Sequence, residues 1–454
     1  MTDLARPAGL RRELGPLGVT FLAFSGLSPA ASVYLFGAGV IHIGGTGAIG
    51  AVLLGGAVAA LLGLLFGELA AAFPRAGGVY PAFVAILGPR LAFPYIVLML
   101  TVAVSNTAFS LLGLADYVRV LAPELPELPV AIAALVAAGV IAVLSIRTGA
   151  LVTGAFLAVE MAALTVLTGC AFLHPWHAPL AAALHPMLPV DGRMEAAPAS
   201  SFALAVVTSV FTCGGAVWAL YFAEEMIEPH LRIGRIVNWI SPLAAATIAL
   251  PLVVALLAAP DWIAMISSDA PLATFLDQTG GPVLARLVSI GIVLAVFNAV
   301  VAIIMGYSRL IYSTARDGLW PPVAGAPMAF ISRRFGSPLN ATLVLCLASG
   351  AAMLGGERML LVLSSNENVL EYTLLGLAII VGRRTGRTGR HHRVRPYPWI
   401  AAGSILTGIA LAVADWFDVD AGRPSLVVLT AIIAFSVLYY PRVRQRLTAP
   451  ERPG

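Results

Sequence analysis

Apolar residues form long runs along this chain, and short polar segments separate the runs. Most runs are close to the length that an α-helix needs to cross the hydrocarbon core of a bilayer, about twenty residues. They predict about twelve membrane-spanning helices, over residues 18–40, 48–73, 91–114, 130–145, 151–173, 202–226, 236–259, 283–312, 339–354, 360–381, 398–416 and 426–440. The chain is therefore expected to be an all-α integral membrane protein.

Two of the runs are interrupted near their middle by residues that disfavour a continuous helix. The interrupting residues are Ser25, Gly26, Ser28, Pro29 and Ser32 in run 18–40, and Cys213, Gly214 and Gly215 in run 202–226. Unpaired backbone groups are costly in lipid, so a helix break at this depth is expected only where it is buried or lines a cavity. Matched breaks in the two halves of a chain predict a transporter built from inverted repeats.

A stretch rich in Pro and Ala, residues 174–201, separates the fifth run from the sixth and divides the chain in two. We predict one transmembrane transporter domain over 1–454, with five-helix repeats at about 15–175 and about 200–382. The last two helices are expected within 398–440. Residues 383–397 and 441–454 are expected to form basic cytoplasmic segments.

Composition and charge narrow the class of protein. Hydrophobic residues make up 59% of the chain and charged residues 11%, which excludes a soluble globule. All 27 basic residues are arginine, and most lie in alternate polar segments, so the chain is expected in the plasma membrane with both termini cytoplasmic. This distribution predicts contact with lipid and no nucleic-acid partner. The three cysteines lie in separate runs without metal-binding spacing, so no disulfide, metal or cofactor is expected.

Three polar segments carry a recognisable pattern. Residues 68–80 read ELAAAFPRAGGVY, residues 223–235 read AEEMIEPHLRIGR, and residues 308–318 read SRLIYSTARDG. Together they resemble the signatures of the amino acid, polyamine and organocation transporter superfamily. The resemblance extends from the first to the tenth helix. It implies the five-plus-five inverted-repeat (LeuT-like) fold with two additional C-terminal helices, transport by alternating access, and a substrate site between the first and sixth helices.

The substrate is expected to contact freed backbone groups and side chains at the two breaks. The expected substrate-binding residues are Phe24, Ser25, Gly26, Ser28, Ala30, Phe211, Cys213, Gly214, Gly215 and Trp218, with Thr20 and Ser209 as further wall residues. Half-helix N-termini can receive a carboxylate, and carbonyl ends can receive an ammonium. The first break holds fewer glycines than that of amino acid carriers in the family, and its proline is similar to that of amine and polyamine importers. The substrate class therefore stays open.

Carboxylates within the apolar runs are candidates for coupling, because a charge at membrane depth is costly. Glu160 lies in the middle of run 151–173 and is a candidate proton-binding group; a structural role at a broken helix is the alternative. Glu367 and Glu371 share one helix face and repel each other unless a proton or cation lies between them. Glu371 is the deeper of the two, whereas Glu367 is expected nearer the outer surface and solvated.

Glu68 and Arg75 are expected to pair and close the cytoplasmic side, joined by Arg232 or Arg235. The sequence as a whole predicts a secondary active transporter that moves an amino acid with protons. A polyamine or organic-amine importer and an amino acid exchanger without proton coupling are the alternatives, and a homo-oligomer stays open. An enzyme is not expected, since no catalytic constellation is visible, and no phosphate-binding motif indicates ATP hydrolysis.

Overall fold

The computed structural model describes residues 10–176, 185–190, 192–268, 270–364, 366–389, 392–419 and 421–444, and most of them belong to helices. Both chain ends, 1–9 and 445–454, lie outside the described residues, as do residues 390 and 391 of the predicted segment 383–397.

The regular elements described in the first half of the chain are all helices. A π-helical turn at Ser32–Phe36 lies within the first span. The helices of this half are α1 (Pro16–Leu27), α2 (Pro29–Ala31), α3 (Gly37–Gly44), α4 (Ala48–Ala72), α5 (Tyr80–Leu87), α6 (Pro89–Leu121), α7 (Glu127–Val143) and α8 (Ile146–Leu173).

The second half begins with an antiparallel hairpin of β1 (Met187–Val190) and β2 (Arg193–Ala196), in which Met187 lies opposite Ala196. The helices that follow are α9 (Ala199–Cys213), α10 (Trp218–Tyr221), α11 (Pro229–Ala258), α12 (Trp262–Ser267), α13 (Pro271–Arg316), α14 (Pro322–Met328), α15 (Leu339–Ala352), α16 (Glu357–Ser364), α17 (Glu367–Arg384), α18 (Trp399–Phe417) and α19 (Gly422–Val443).

Within the described residues, eight segments are long and apolar enough to cross a membrane. The first of them, Pro16–Ala72, contains α1 to α4, and two shorter apolar helices, Glu127–Val143 and Leu339–Gly355, fall below this length. The predicted helical architecture with many apolar spans is confirmed. The count of twelve helices and the division into two inverted repeats stay predictions.

Among the differences between the structure and the predicted segments, three change the architecture. Run 360–381 is divided, because α16 ends at Ser364 and α17 begins at Glu367. Run 283–312 belongs to a longer helix, α13, which kinks at Gly281 (φ 78°), where Pro282 follows and cannot continue a regular helix. The stretch 174–201 contains the hairpin, whose short strands pair only with each other and leave a weak pattern in the sequence.

The helices pack closely around α13, which contacts α1, α6, α7 and α8, while α4 packs along α9 and α11. Glycines permit this approach. A Cβ on Gly63 of α4 would lie 1.7 Å from the hydroxyl of Ser241 in α11. That hydroxyl donates to the carbonyl oxygens of Ala59 (3.3 Å) and Ala60 (3.2 Å), so the two helices are also joined by hydrogen bonds.

The bundle has two distinguishable ends. At one, the hairpin contacts the turn between α3 and α4, where the Met187 amide donates to the Thr46 hydroxyl (2.9 Å); we call this the hairpin end. Helix α4 runs from there to the opposite end, which we call the arginine end because Arg75, Arg316 and Arg383 pair with carboxylates there.

Candidate functional site

The first span breaks at Ser28, between α1 and α2. Ser28 adopts a left-handed conformation (φ 47°, ψ 84°), which is uncommon for residues other than glycine. Pro29 disfavours the helical conformation in the residue before it, so the sequence itself sets this break. The Ser28 amide donates to the Phe24 carbonyl (2.8 Å), and the Ser28 hydroxyl accepts from the Ala31 amide (3.3 Å).

The carboxylate of Glu160, from the middle of α8, binds the first break directly. Its Oε1 accepts hydrogen bonds from the Ser28 hydroxyl (2.7 Å) and the Ala30 amide (2.8 Å). The side chain is fully buried, and its Oε2 has no partner among the described groups. Glu160 therefore holds the position at which a ligand carboxylate is expected from the sequence.

Asn298 of α13 brings a third helix to the first break. Its Nδ2 donates to the Ser25 hydroxyl (3.0 Å), which in turn donates to the Thr153 carbonyl (3.3 Å). Asn298 is fully buried and faces Glu160, and its Oδ1 has no partner in the described part of the chain. Asn298 was not predicted as a site residue, although an isolated Asn within an apolar run indicates a functional or structural role.

The second break lies between α9 and α10 and packs against the first. Gly214 is extended (φ −76°, ψ 150°) and ends α9. A Cβ on Gly26 would lie 2.7 Å from the Trp218 ring, and a Cβ on Gly215 would lie 2.5 Å from Leu27. Only glycine permits so close an approach at these two positions, so the two breaks interlock.

A cavity of about 60 Å³ lies beside the second break, where α4, α9 and α17 meet; we call it the inner cavity. Five of the predicted site residues line it, namely Phe211, Gly214, Gly215, Trp218 and Glu371. The structure therefore brings the second break and α17 together around one space.

The other predicted binding residues contact protein groups and do not line the described inner cavity. Within the described structure, the inner cavity is not lined by Phe24, Ser25, Gly26, Ser28, Ala30 or Cys213. Glu160 and Asn298 take the polar groups of the first break, and Trp218 covers Gly26. Cys213 faces Gly56 of α4. The hydroxyls of Thr20 and Ser209 donate to carbonyls of their own helices and form no wall of this cavity.

A larger cavity of about 770 Å³ lies on the hairpin side of the inner cavity, and we call it the vestibule. Phe211, Glu367 and Asn368 line both cavities, so they form the boundary between them. Asp418 and Val419 also line the vestibule and are exposed. The vestibule therefore opens to the surface at the hairpin end.

Two carboxylates of α17 face these cavities. Glu371 is only 3% exposed, and its Oε1 has no partner among the described residues. Glu367, one turn earlier, is half-buried, and its Oε2 also lacks a partner in the described structure. The expectation that Glu367 is simply solvated is not met, because the break between α16 and α17 places it on the cavity wall.

Aromatic rings surround the inner cavity. The Trp218 ring packs against Tyr221 and Tyr307, with centroids 5.3 and 5.4 Å apart. Tyr372 packs against Phe66, and both line the cavity. The sequence indicated Trp218, but Phe66 and Tyr372 carry no signal that separates them from ordinary packing residues.

At the arginine end, the predicted pair of Glu68 with Arg75 is not formed among the described side chains. Arg75 pairs with Asp317 (2.9 Å), which also accepts from the Tyr80 hydroxyl (3.1 Å). The physical reason is local: Pro74 ends the helix, and Gly77 and Gly78 adopt positive φ, so the chain turns Arg75 away from α4.

Glu68 is instead held by the last turn of α17 and by the segment that follows this helix. Arg383 Nε donates to Glu68 Oε1 (2.8 Å), Arg383 Nη2 donates to Oε2, and the Val394 amide donates to Oε2 (3.0 Å). Arg232 pairs with Glu228 of its own turn (2.6 Å) on the surface and does not join this pair. Glu68 therefore ties α4 to α17 and to the chain before α18.

A fully buried ion pair joins the end of the second break to α13. Arg309 Nη2 donates to Glu225 Oε1 (2.9 Å), and Arg309 Nε donates to Glu225 Oε2. The Glu225 carbonyl accepts from the amides of Glu13 (3.0 Å) and Leu14 (2.9 Å), before α1. The chain before the first break is thus fastened to the chain after the second.

His392, in the polar segment before α18, lies beside this end and approaches Asn238 of α11 (Nε2 to Nδ2, 3.0 Å). Burial lowers the pKa of His392, and Glu68 acts in the opposite direction. The imidazole is therefore neutral near pH 7.

The family model and the related proteins that match this chain all belong to amino acid transporters. The model of the amino acid permease family matches residues 14–439. Human Asc-type amino acid transporter 1 is 27% identical over 405 residues, which cover 83% of this chain and 72% of that protein. Rabbit large neutral amino acids transporter small subunit 2 is 25% identical over 365 residues, covering 75% of this chain and 64% of that protein.

Among solved structures, a manganese transporter of Eremococcus coleocola, crystallised as a point mutant, superposes with a TM-score of 0.59 at 12% identity. The match covers 99% of this chain and 100% of the other, so the two share a fold. The family match over nearly the whole sequence agrees with the broken spans, the inner cavity and the apolar helices described above. This multi-pass membrane protein therefore belongs to the amino acid permease family.

Proposed function

We propose that this protein imports an amino acid across the plasma membrane by alternating access, driven by protons that bind Glu160. The observation that carries the proposal is the bond between the buried Glu160 carboxylate and the broken first span. Because Glu160 joins α8 to this break, protonation of its carboxylate can change the geometry of the break.

Two neighbouring acceptors at the first break support proton binding. Glu160 Oε2 and Asn298 Oδ1 are both buried, and no hydrogen bond within 3.5 Å is described for either, although the Asn298 side chain faces the Glu160 carboxylate. A buried acceptor without a donor is costly. A proton on Oε2 supplies the missing donor and removes the negative charge, while Oε1 keeps the Ser28 and Ala30 groups as donors.

The two ends of the bundle support an outward-facing arrangement. The vestibule opens at the hairpin end, while ion pairs close the arginine end. We assign the arginine end to the cytoplasm, because arginine-rich segments remain on that side of a membrane. With this assignment both termini are cytoplasmic, and the inner cavity is reached from outside.

Counterflow and uptake in proteoliposomes test the proposal with wild type, Glu160→Gln and the control Glu195→Gln, an exposed residue on β2. With pH 6 outside and pH 7 inside, wild type is expected to accumulate a labelled amino acid, by at most about tenfold for one proton per substrate. Glu160→Gln is expected to exchange substrate but not to accumulate it, and Glu195→Gln to behave as wild type.

Wild-type uptake that ignores the pH gradient, with Glu160→Gln unchanged from wild type, would reject proton coupling and favour the exchanger. The same assays in sodium-free buffer separate protons from sodium, since a sodium-driven carrier stops there. Absence of transport for every amino acid and amine tested would reject the transport function itself.

A further inference from the structure

The charged side chains described along the route to the inner cavity are all acidic. The vestibule is lined by the carboxylates of Glu367, Asp415 and Asp418, and its described lining includes no arginine. Carboxylates in a narrow opening raise the local concentration of cations and lower that of anions. A substrate that enters from the hairpin end therefore meets a field that favours positive charge.

The inner cavity continues this pattern at greater depth. Glu371 is 3% exposed, lines the cavity, and has an oxygen with no partner among the described residues. The Tyr95 hydroxyl faces this carboxylate but brings no positive charge. A buried carboxylate without a counter-ion is strongly unfavourable, and Glu367 one turn away adds repulsion. Of the arginines in the described structure, none lines this cavity. A cation brought by the substrate satisfies both carboxylates.

The walls of the inner cavity fit the same kind of group. Phe66, Trp218 and Tyr372 line it together with Glu371. Aromatic faces attract ammonium and guanidinium groups, and the attraction strengthens where water is excluded. Alkyl segments of a substrate also pack well on such rings.

The first break also favours a cationic over an anionic ligand, because its hydrogen-bond donors already bind acceptors of the protein. The Ala30 amide and the Ser28 hydroxyl bind Glu160, and the Ser25 hydroxyl accepts from Asn298. These donors are therefore not available to a substrate, and the described charged side chains that line the inner cavity, Glu367 and Glu371, are both acidic.

From these observations, we propose that Glu371 binds the side-chain ammonium or guanidinium of the substrate, with Glu367 at the mouth, so that the preferred substrates carry net positive charge. The inference rests on the proposed transport function and names its substrate class. Basic amino acids and diamines present the same cationic group. Basic amino acids also have an α-carboxylate, which diamines lack, and the experiment below distinguishes the two classes.

Binding to the purified full chain in detergent tests the inference. Competition against a labelled basic ligand measures affinities for lysine, arginine, putrescine, serine and leucine, using wild type, Glu371→Gln, Glu371→Asp, Glu367→Gln and the control Glu195→Gln. Melting curves and gel filtration check that each variant folds. Wild type is expected to bind at least one class of cationic ligand, the basic amino acids or putrescine, at least about tenfold more tightly than serine or leucine, as charge-assisted bonds predict.

Glu371→Gln is expected to weaken binding of the cationic ligands at least about tenfold and to leave the neutral ones unchanged, whereas Glu371→Asp retains part of the preference. Glu367→Gln is expected to weaken the cationic ligands by a smaller factor. If wild type binds lysine and putrescine with equal affinity, the substrate is an amine. If wild type binds lysine but not putrescine, the substrate is a basic amino acid. Either result supports the proposal. If Glu371→Gln does not fold, Glu371→Asp and Glu367→Gln decide the question.

Three results would overturn the inference. They are neutral amino acids binding more tightly than cationic ones, Glu371→Gln weakening neutral and cationic ligands equally, and folded variants that bind cationic ligands as wild type does. In each of these cases uptake of neutral amino acids into proteoliposomes would leave the proposed transport function standing. Only failure to transport any solute rejects both.

Discussion

Two single residues, Gly26 and Trp218, set how closely the broken spans approach. A Cβ on Gly26 would lie 2.7 Å from the Trp218 ring, so Gly26→Ala must displace the indole. Overpacking of this kind costs about 1–3 kcal/mol. We expect Gly26→Ala to lower the melting temperature and to reduce uptake in proteoliposomes, because Trp218 also lines the inner cavity.

Gly39→Ala is the matched control for this change. It lies in α3, on the far side of the same break, and its Cβ would meet nothing within 4 Å. We expect Gly39→Ala to keep wild-type uptake and stability. If both variants transport at the wild-type rate, the contact between Gly26 and Trp218 has no part in the cycle.

Residue types in the sequence indicated part of the site for identifiable reasons. Pro29 and the pair Gly214 and Gly215 disfavour a continuous helix whatever surrounds them, so both breaks could be predicted. Asn298 and Tyr372 could not be placed, because their roles depend on which helices become neighbours in the fold. The bond between Glu160 and the Ala30 amide could not be predicted for the same reason, because the two residues lie 130 positions apart in the sequence.

At the scale of elements, the buried pair of Glu225 and Arg309 joins the segment after the second break to α13. Glu225→Gln leaves the Arg309 guanidinium buried without its counter-ion. Breaking one partner of a buried pair costs about 3–5 kcal/mol. We expect a large loss of thermal stability in detergent, measured by the melting temperature.

The control for this change is Glu228→Gln, which breaks the exposed pair with Arg232. Exposed pairs contribute about 0–1 kcal/mol, so the melting temperature should hardly change. Equal stability losses in the two variants would show that burial of the pair of Glu225 with Arg309 is not what makes it important.

Helix ends were harder to predict than helices. The apolar runs predicted α4, α8 and α9 well, since their length and composition are properties of the segment alone. The division between α16 and α17 was missed because apolar residues continue on both sides of it, although Ser364 and Asn366 are residue types that favour helix ends. The partner of Glu68 was also missed, since Arg383 is distant in sequence and was assigned only to a basic segment.

For the molecule as a whole, the pair of Arg75 with Asp317 is one of the contacts that join the chain after α4 to the end of α13. Asp317→Asn removes the charge that holds Arg75 and also weakens the bond from Tyr80. We expect faster hydrogen exchange of the backbone amides in residues 73–79, by roughly fivefold for a loss of about 1 kcal/mol. Exchange at the hairpin should not change.

Mass spectrometry of the exchanged peptides measures both ends in one experiment, and Glu195→Gln on the hairpin serves as the control. If the hydrogen-exchange rate of residues 73–79 is the same in Asp317→Asn as in wild type, the other contacts hold this segment in place without the pair of Arg75 with Asp317. The pair of Arg316 with Glu224 is the first of those contacts to consider.

The vestibule also shapes the electrical behaviour of the molecule. With the hairpin end outside, as proposed above, water in its volume of about 770 Å³ carries the potential of the outer solution inward to Phe211 and Glu367. The membrane voltage then falls mainly over the protein between these residues and the arginine end. A unit charge that moves through this layer crosses most of the voltage, about 2.3 kcal/mol per 100 mV, although it travels only part of the membrane thickness.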